Sequence, residues 1–339
     1  MISLRNIRAL FIARNKEYYR DKGSLFWSFL VPPLIVAVIG FAFSRQDPAI
    51  FSVGVLGAPQ AEAPPVLQQD YIRTIYYDDL NRATTQLRYQ QLDLLYDPQA
   101  GKYWINPRSV NGKAVEKLLR VPADSPQMSM ERAEVPGRAI RYVDWVIPGV
   151  LGMNMMFSAL FGVGYVIVRY RKNGVLKRLQ ATPVKPAEFL LAQALSRLCI
   201  LLIVSTIVFI VCKLMVNFLM LGSYSTLYII AICGNLALIA LALIIAARTA
   251  SEEAANGILN FFSFPMLLLS GVWFSLDQAP EWLQGVAAVF PLTHMVSAAR
   301  SVMLEGATLA DVAPQLGILL AMTIVFLIIA ATLFRWRED

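Results

Sequence analysis

Residues 190–247 read LLAQALSRLCILLIVSTIVFIVCKLMVNFLMLGSYSTLYIIAICGNLALIALALIIAA, and only Arg197 and Lys213 among them carry a full charge. Two runs within this stretch, 190–212 and 226–247, each reach the roughly 20 apolar residues a helix needs to cross the hydrocarbon of a bilayer. No water is available there, so the backbone polar groups must pair within the run, which makes each run a helix. Working outward, four further runs qualify: 24–43, 143–168, 257–275 and 315–334. Six spans are therefore expected. The composition agrees, with 57% hydrophobic and 16% charged residues in a chain of 339. Pro32, Pro33, Pro148 and Pro265 are expected at kinks or helix ends.

The net charge of +7 does not indicate nucleic acid, because the basic residues flank apolar runs instead of forming a basic surface. Their distribution instead reports orientation. Arg5, Arg8, Arg14, Lys16, Arg20 and Lys22 precede the first span, and Arg169, Arg171, Lys172, Lys177, Arg178, Lys185 and Arg197 surround the link between the second and third. Arg248, Arg335 and Arg337 complete the set, whereas the alternate loops hold little beyond Lys213 and Arg300. Both termini are thus expected in the cytoplasm and 44–141 on the far side. Ala42-Phe43-Ser44 only weakly resembles a signal cleavage site, so the first span is expected to stay. Trp27, Trp145, Trp273, Trp282 and Trp336 fall near predicted span ends, where interfacial aromatics belong. Ahead of the first span, residues 1–23 form an amphipathic interface helix: Leu4, Ile7, Phe11 and Tyr18 share one face, and Arg5, Arg8, Lys16 and Arg20 point away.

Residues 44–141 are too long for a connection and have globular composition. Strands are expected at 50–56, 72–77, 92–96 and 102–105, and helices at 80–90 and 111–120, with joints at Pro59, Pro64, Pro65, Pro122 and Pro126. Asp78, Asp79, Asp93 and Asp97 are read as turn and strand-end residues, since no histidine or cysteine accompanies them. Cys199, Cys212 and Cys233 lie in apolar runs without metal spacing, and His294, beside Pro291 and Thr293, reads as a structural hydrogen-bonder. Thr249 and Glu252 fit a capping box for the fifth span.

An ion-coupled transporter buries ionisable residues in its spans. Here Asp144, Arg197, Lys213 and Arg248 fall at or near span ends, and the interiors offer neutral Asn154, Gln193, Asn235 and Asn260. No phosphate-binding loop of the G-x-x-x-x-G-K-[ST] type occurs either, so an active transporter needs its motor on another polypeptide. The place for that motor to engage is RYRKNGVLKRLQATPVKP, residues 169–186. Asn173-Gly174 can open a short helix that Thr182-Pro183 closes, with Val175, Leu176 and Leu179 on one face. Three exposed apolar side chains there would call for a partner surface.

Several motifs in order carry a family resemblance. These are the amphipathic amino-terminal helix, NGVLKRLQATPV at 173–184, SEEAANGI at 251–258, FPMLLLSGVWF at 264–274, PEWL at 280–283 and FPLTHM at 290–295. The chain resembles the ABC-2-type exporter permeases over roughly 1–43 and 143–335. The resemblance implies a mostly α, six-span polytopic bundle of the ABC-2 or type V exporter kind, with a small extracytoplasmic α/β domain inserted between spans 1 and 2. Its parts are 1–23, 24–43, 44–141, 142–335 and a cytoplasmic tail 336–339. Within 142–335 lie a coupling loop at 169–189 and a re-entrant segment at 276–297.

It further implies a non-catalytic subunit in a bacterial inner membrane, working beside a cytoplasmic ABC ATPase dimer that binds the ATP and Mg; this chain binds no cofactor. A second permease copy completes the path, with a homodimer the default and a heterodimer the alternative, and a periplasmic adaptor is a candidate partner. Val175, Leu176, Lys177, Arg178 and Leu179 would meet the ATPase, with Leu4, Ile7, Arg8 and Phe11 as a second contact. Met153, Asn154, Met156, Phe157 and Asn260 are candidate pathway residues. The competing readings are a receptor or scaffold sensing through 44–141, an ion-coupled secondary transporter and a membrane enzyme.

Overall fold

The computed structural model describes residues 3–42, 51–57, 72–120, 131–134, 140–249, 251–276 and 279–333. The sequence features at Phe43-Ser44, Pro59, Pro64, Pro65, Pro122, Pro126 and Arg335–Arg337 lie outside these. Two compact units divide the chain, residues 1–42 with 142–339 and residues 43–141.

The first unit opens with α1 (Leu4–Arg20) and α2 (Lys22–Ala42). In α2 the helix continues past Pro32-Pro33, which lie inside it. The second unit follows, with β1 (Phe51–Leu56), β2 (Ile72–Tyr77), α3 (Leu80–Arg88), β3 (Leu94–Asp97), β4 (Lys102–Ile105), α4 (Val110–Arg120) and β5 (Glu131–Glu134). The strands form one mixed sheet in the order β2-β1-β3-β4-β5, antiparallel only between β3 and β4. Side-chain alternation along β3 sorts two cores. Leu94 and Tyr96 join Val53, Val55 and Val115 of α4 on one face, and Leu95 joins Ala83 and Leu87 of α3 on the other. β5 is a strand the sequence reading left out: Glu-Arg-Ala-Glu has no apolar alternation and pairs only at the sheet edge, with β4. The Asp79 side chain caps α3 by accepting from Asn81 N at 2.9 Å, Asp97 closes the β3–β4 turn, and Asp93 accepts from Ser52 N at 2.8 Å.

The first unit resumes with α5 (Tyr142–Ala159), which continues through a π-helical segment, Leu160–Tyr165, into α6 (Val166–Lys172). Then come α7 (Val175–Gln180), α8 (Pro186–Val216), α9 (Tyr224–Arg248), α10 (Glu252–Leu269), α11 (Glu281–Ala287), α12 (Pro291–Arg300) and α13 (Ala313–Leu333). A second π-helical segment, Ser301–Glu305, extends α12. The central helix is α9, with 72% of its apolar stretch buried inside the chain against 17% for α2. Small residues allow this closeness: a side chain at Gly234 would run into Met295 of α12.

Among the described residues, five helices are long and apolar enough to span a membrane: Leu25–Ala42, Tyr142–Lys172, Pro186–Val216, Tyr224–Arg248 and Ala313–Leu333. The bent pair Glu281–Ala287 and Pro291–Glu305, at 100°, brings the number to six if it counts as one span. The expected fifth span, 257–275, is drawn differently. α10 starts at Glu252 and stops at Leu269, about 27 Å of helix, and Glu252, Glu253, Asn256 and Asn260 dilute its first half. Gly271, at φ +69°, turns the chain after it. The segment expected to re-enter at 276–297 extends to Glu305, because the π turn keeps the helix going. That turn frees carbonyls, and the α8–α9 connection supplies their donors, Leu221 N to Met303 O at 2.9 Å and Gly222 N to Val302 O at 3.0 Å.

Candidate functional site

The short helix between the second and third long helices is held from one side. Arg171, at the end of α6, donates to the carbonyls of Ala246, Ala247 and Thr249 at 3.0, 3.2 and 2.5 Å, placing a cation on the C-terminus of α9. Lys172 pairs with Glu252 at 3.6 Å, and the Tyr165 hydroxyl donates to the same carboxylate at 2.5 Å. The cap of α10 is therefore Ser251, whose side chain accepts from Ala254 N at 3.0 Å. This corrects the capping box expected from Thr249 and Glu252: Thr249 instead bonds back to Ile245 O, and Glu252 is drawn off to α6.

After Asn173, Gly174 adopts φ +68°, a conformation glycine takes without strain, and α7 begins. Lys177 and Arg178 are exposed and Val175 and Leu179 half-buried, but Leu176 is fully buried within the chain. The expectation of three exposed apolar side chains is corrected at Leu176, which seats the helix instead of presenting it.

The second constellation lies where α1 crosses α6 and α8. Its inward face carries Ile7, Arg14 and Tyr18 buried and Phe11 half-buried, with Arg8 exposed. Leu4, in the first turn, departs from the expected face at 83% exposed. The start of α8 is clamped by Glu188, which accepts from Ser3 N at 2.6 Å and Asn6 Nδ2 at 2.9 Å.

Arg14 is 7% exposed and Arg197 6%. Arg14 bonds Glu17 at 2.9 Å and the Gly162 carbonyl at 3.0 Å, while Arg197 donates to the Ser158 carbonyl and stacks over Tyr18 at 5.4 Å. Both arginines thus satisfy carbonyls in or just before the first π-helical segment. Gly162 makes the approach feasible, since a side chain there would occupy the space of the Arg197 guanidinium. Glu17 also bonds Arg169 at 3.0 Å and the Tyr170 hydroxyl. Burial alone would raise its pKa, but the Tyr170 hydroxyl, Arg14 and Arg169 together hold it below the usual carboxylate value.

These groups border an open cleft of about 580 Å³ between α1, α2 and α5. Met153, Asn154 and Phe157 line it. Met156 is fully buried elsewhere on α5, and Asn260 is half-buried on α10, away from the cleft. The buried arginines were missed because each reads as positively charged flank. The available signal was Arg197 itself, eleven residues into a helix that starts at Pro186. His294 Nε2 lies 2.7 Å from the Ala288 carbonyl, a local bond at the start of α12.

Set against known families, the sequence matches the ABC-2 type transporter family over residues 108–304, from α4 to the end of the helical hairpin after α10. The chain belongs to the ABC-2 type transporter family. It is 22% identical over 382 residues to the Escherichia coli K12 protein named "Probable multidrug ABC transporter permease YbhS", covering 98% of this chain and 96% of that one. It is 24% identical to "Probable multidrug ABC transporter permease YbhR" of the same organism, over 54% of this chain and 50% of that one. The Bacillus subtilis "Linearmycin resistance permease protein LnrN" is 28% identical over 50% of this chain and 44% of its own length. This ABC-2 chain is therefore a membrane-spanning transporter permease, and the YbhS alignment runs across nearly its whole length, sheet unit included.

Proposed function

We propose that this permease pairs with a second copy and couples ATP hydrolysis on separate cytoplasmic ATPase subunits to outward movement of a hydrophobic or amphipathic compound. The observation that carries the reading is α7. It offers Lys177, Arg178 and the half-buried Val175 and Leu179, while Leu176 is buried within the chain and Arg171, on the adjoining α6, holds the end of α9. A force applied to such a helix would reach α9 and α10 through the end of α6, where Arg171 and Lys172 hold them. Nucleotide and magnesium belong to the ATPase. Relatives named for multidrug transport and linearmycin resistance support an apolar or amphipathic cargo. In this arrangement the chain sits in a bacterial inner membrane with both termini cytoplasmic, and the sheet unit lies outside, where it can meet cargo or a periplasmic adaptor.

The test is purification of the tagged chain from its native cells in mild detergent, wild type against Lys177→Glu/Arg178→Glu. An ATPase is expected to accompany the wild type and to be lost at least tenfold from the variant, with the elution profile of the permease unchanged. If no ATPase accompanies either chain, the coupling reading is abandoned.

A further inference from the structure

We infer that the cleft between α1, α2 and α5 is a binding site for an anionic amphiphile, with Arg197 receiving the headgroup and the α2–α5 walls receiving the tail. Arg197 lines the cleft, is 6% exposed, donates to the Ser158 carbonyl, and has no carboxylate partner among the described residues. A guanidinium held out of water without a counter-ion is costly unless an anion arrives. Its fork of donors suits a phosphate or carboxylate.

The charge around it favours an anion. Three arginines (Arg14, Arg169 and Arg197) and two carboxylates (Glu17 and Asp21) line the cleft. Glu17 is already engaged by Arg14, Arg169 and Tyr170, and Asp21 is exposed. Arg197 is thus the cation whose pairing is incomplete. Away from the arginines the walls turn apolar, with Trp27, Val31, Met153, Phe157 and Phe161. A polar end beside an apolar slot matches a molecule with one charged group and a hydrocarbon tail.

This inference deepens the proposed function by naming a cargo class, and it rests on that reading only for the direction of movement. Binding is therefore measured on the permease alone, without ATP or an ATPase. The full chain in a non-ionic detergent is titrated with phosphatidic acid carrying brominated acyl chains, which quench a nearby tryptophan, and with the matching brominated diacylglycerol. Phosphatidic acid is expected to bind at least tenfold more tightly, with the quenched component missing in Trp27→Phe.

Arg197→Gln is expected to weaken phosphatidic acid about tenfold and to leave diacylglycerol unchanged, with Arg197→Lys between. A second comparison uses dodecyl phosphate and dodecanol. Binding of phosphatidic acid but not dodecyl phosphate assigns the site to a two-chain membrane lipid, and binding of both assigns it to free amphiphiles; either supports the site. Equal binding of phosphatidic acid and diacylglycerol to the wild type, or quenching that persists in full in Trp27→Phe, overturns it even where Arg197→Gln fails to fold.

Discussion

Glu17 is drawn below the ordinary glutamate value of 4.5 by the Tyr170 hydroxyl and Arg169 from α6 and by Arg14 on its own helix, against the opposing effect of burial. A carboxylate with a depressed native pKa holds its proton less tightly folded than unfolded. Its stabilising effect is complete above the unfolded value and lost as pH falls through the lower, native one. Thermal unfolding in detergent is therefore expected to show wild type above Glu17→Gln by a constant margin from pH 7 to about pH 5.5. The margin should shrink below 4.5 and close at lower pH. A margin that persists undiminished into acid would mean that Glu17 acts by shape and not by charge. Only Arg14, one turn earlier on α1, is legible near Glu17 in the sequence, since Arg169 and Tyr170 lie about 150 positions away. The turn at Asn173-Gly174 was legible, by contrast, because a positive φ is a local demand that glycine meets without strain.

Among the elements, α7 depends on a neighbour's end. Arg171 replaces missing donors at the last turn of α9, so Arg171→Met leaves three carbonyls short of partners. Lost charged hydrogen bonds of this kind are worth on the order of 2 kcal/mol, about thirtyfold in a local opening equilibrium. Amide exchange across residues 173–185 is expected to accelerate by about that factor, with the centre of α9 unaffected; unchanged exchange would place the anchoring of α7 elsewhere. The long helices were readable from apolar runs because lipid leaves a backbone no other choice. α10 and the hairpin after it were readable only in outline. Their ends are set by Ser251, Gly271 and a π turn whose carbonyls are satisfied from the α8–α9 connection.

In the whole molecule, α2 is the least enclosed of the spans, and Phe26, Leu30, Leu34, Val38 and Phe41 form an exposed stripe along it. A twofold contact brings a central residue near its own copy. Leu34→Cys in a Cys199→Ser background is therefore expected to give a cross-linked dimer on mild oxidation, read on a non-reducing gel. Cross-linking at Leu320→Cys on α13 instead would move the proposed contact to the other side of the bundle. The sequence by itself determined the membrane class, the long apolar spans, the separate α/β segment and the short helix after Gly174. Each of these follows from local patterns of hydrophobicity and turn chemistry. Only the tertiary structure decided that Leu176 is buried, that Ser251 and not Thr249 caps the start of α10, and that Arg14 and Arg197 meet beside Gly162 at the edge of a cleft. Those outcomes depend on which distant helix lies opposite, and a contact across 35 or 180 residues leaves no periodicity in the chain to read.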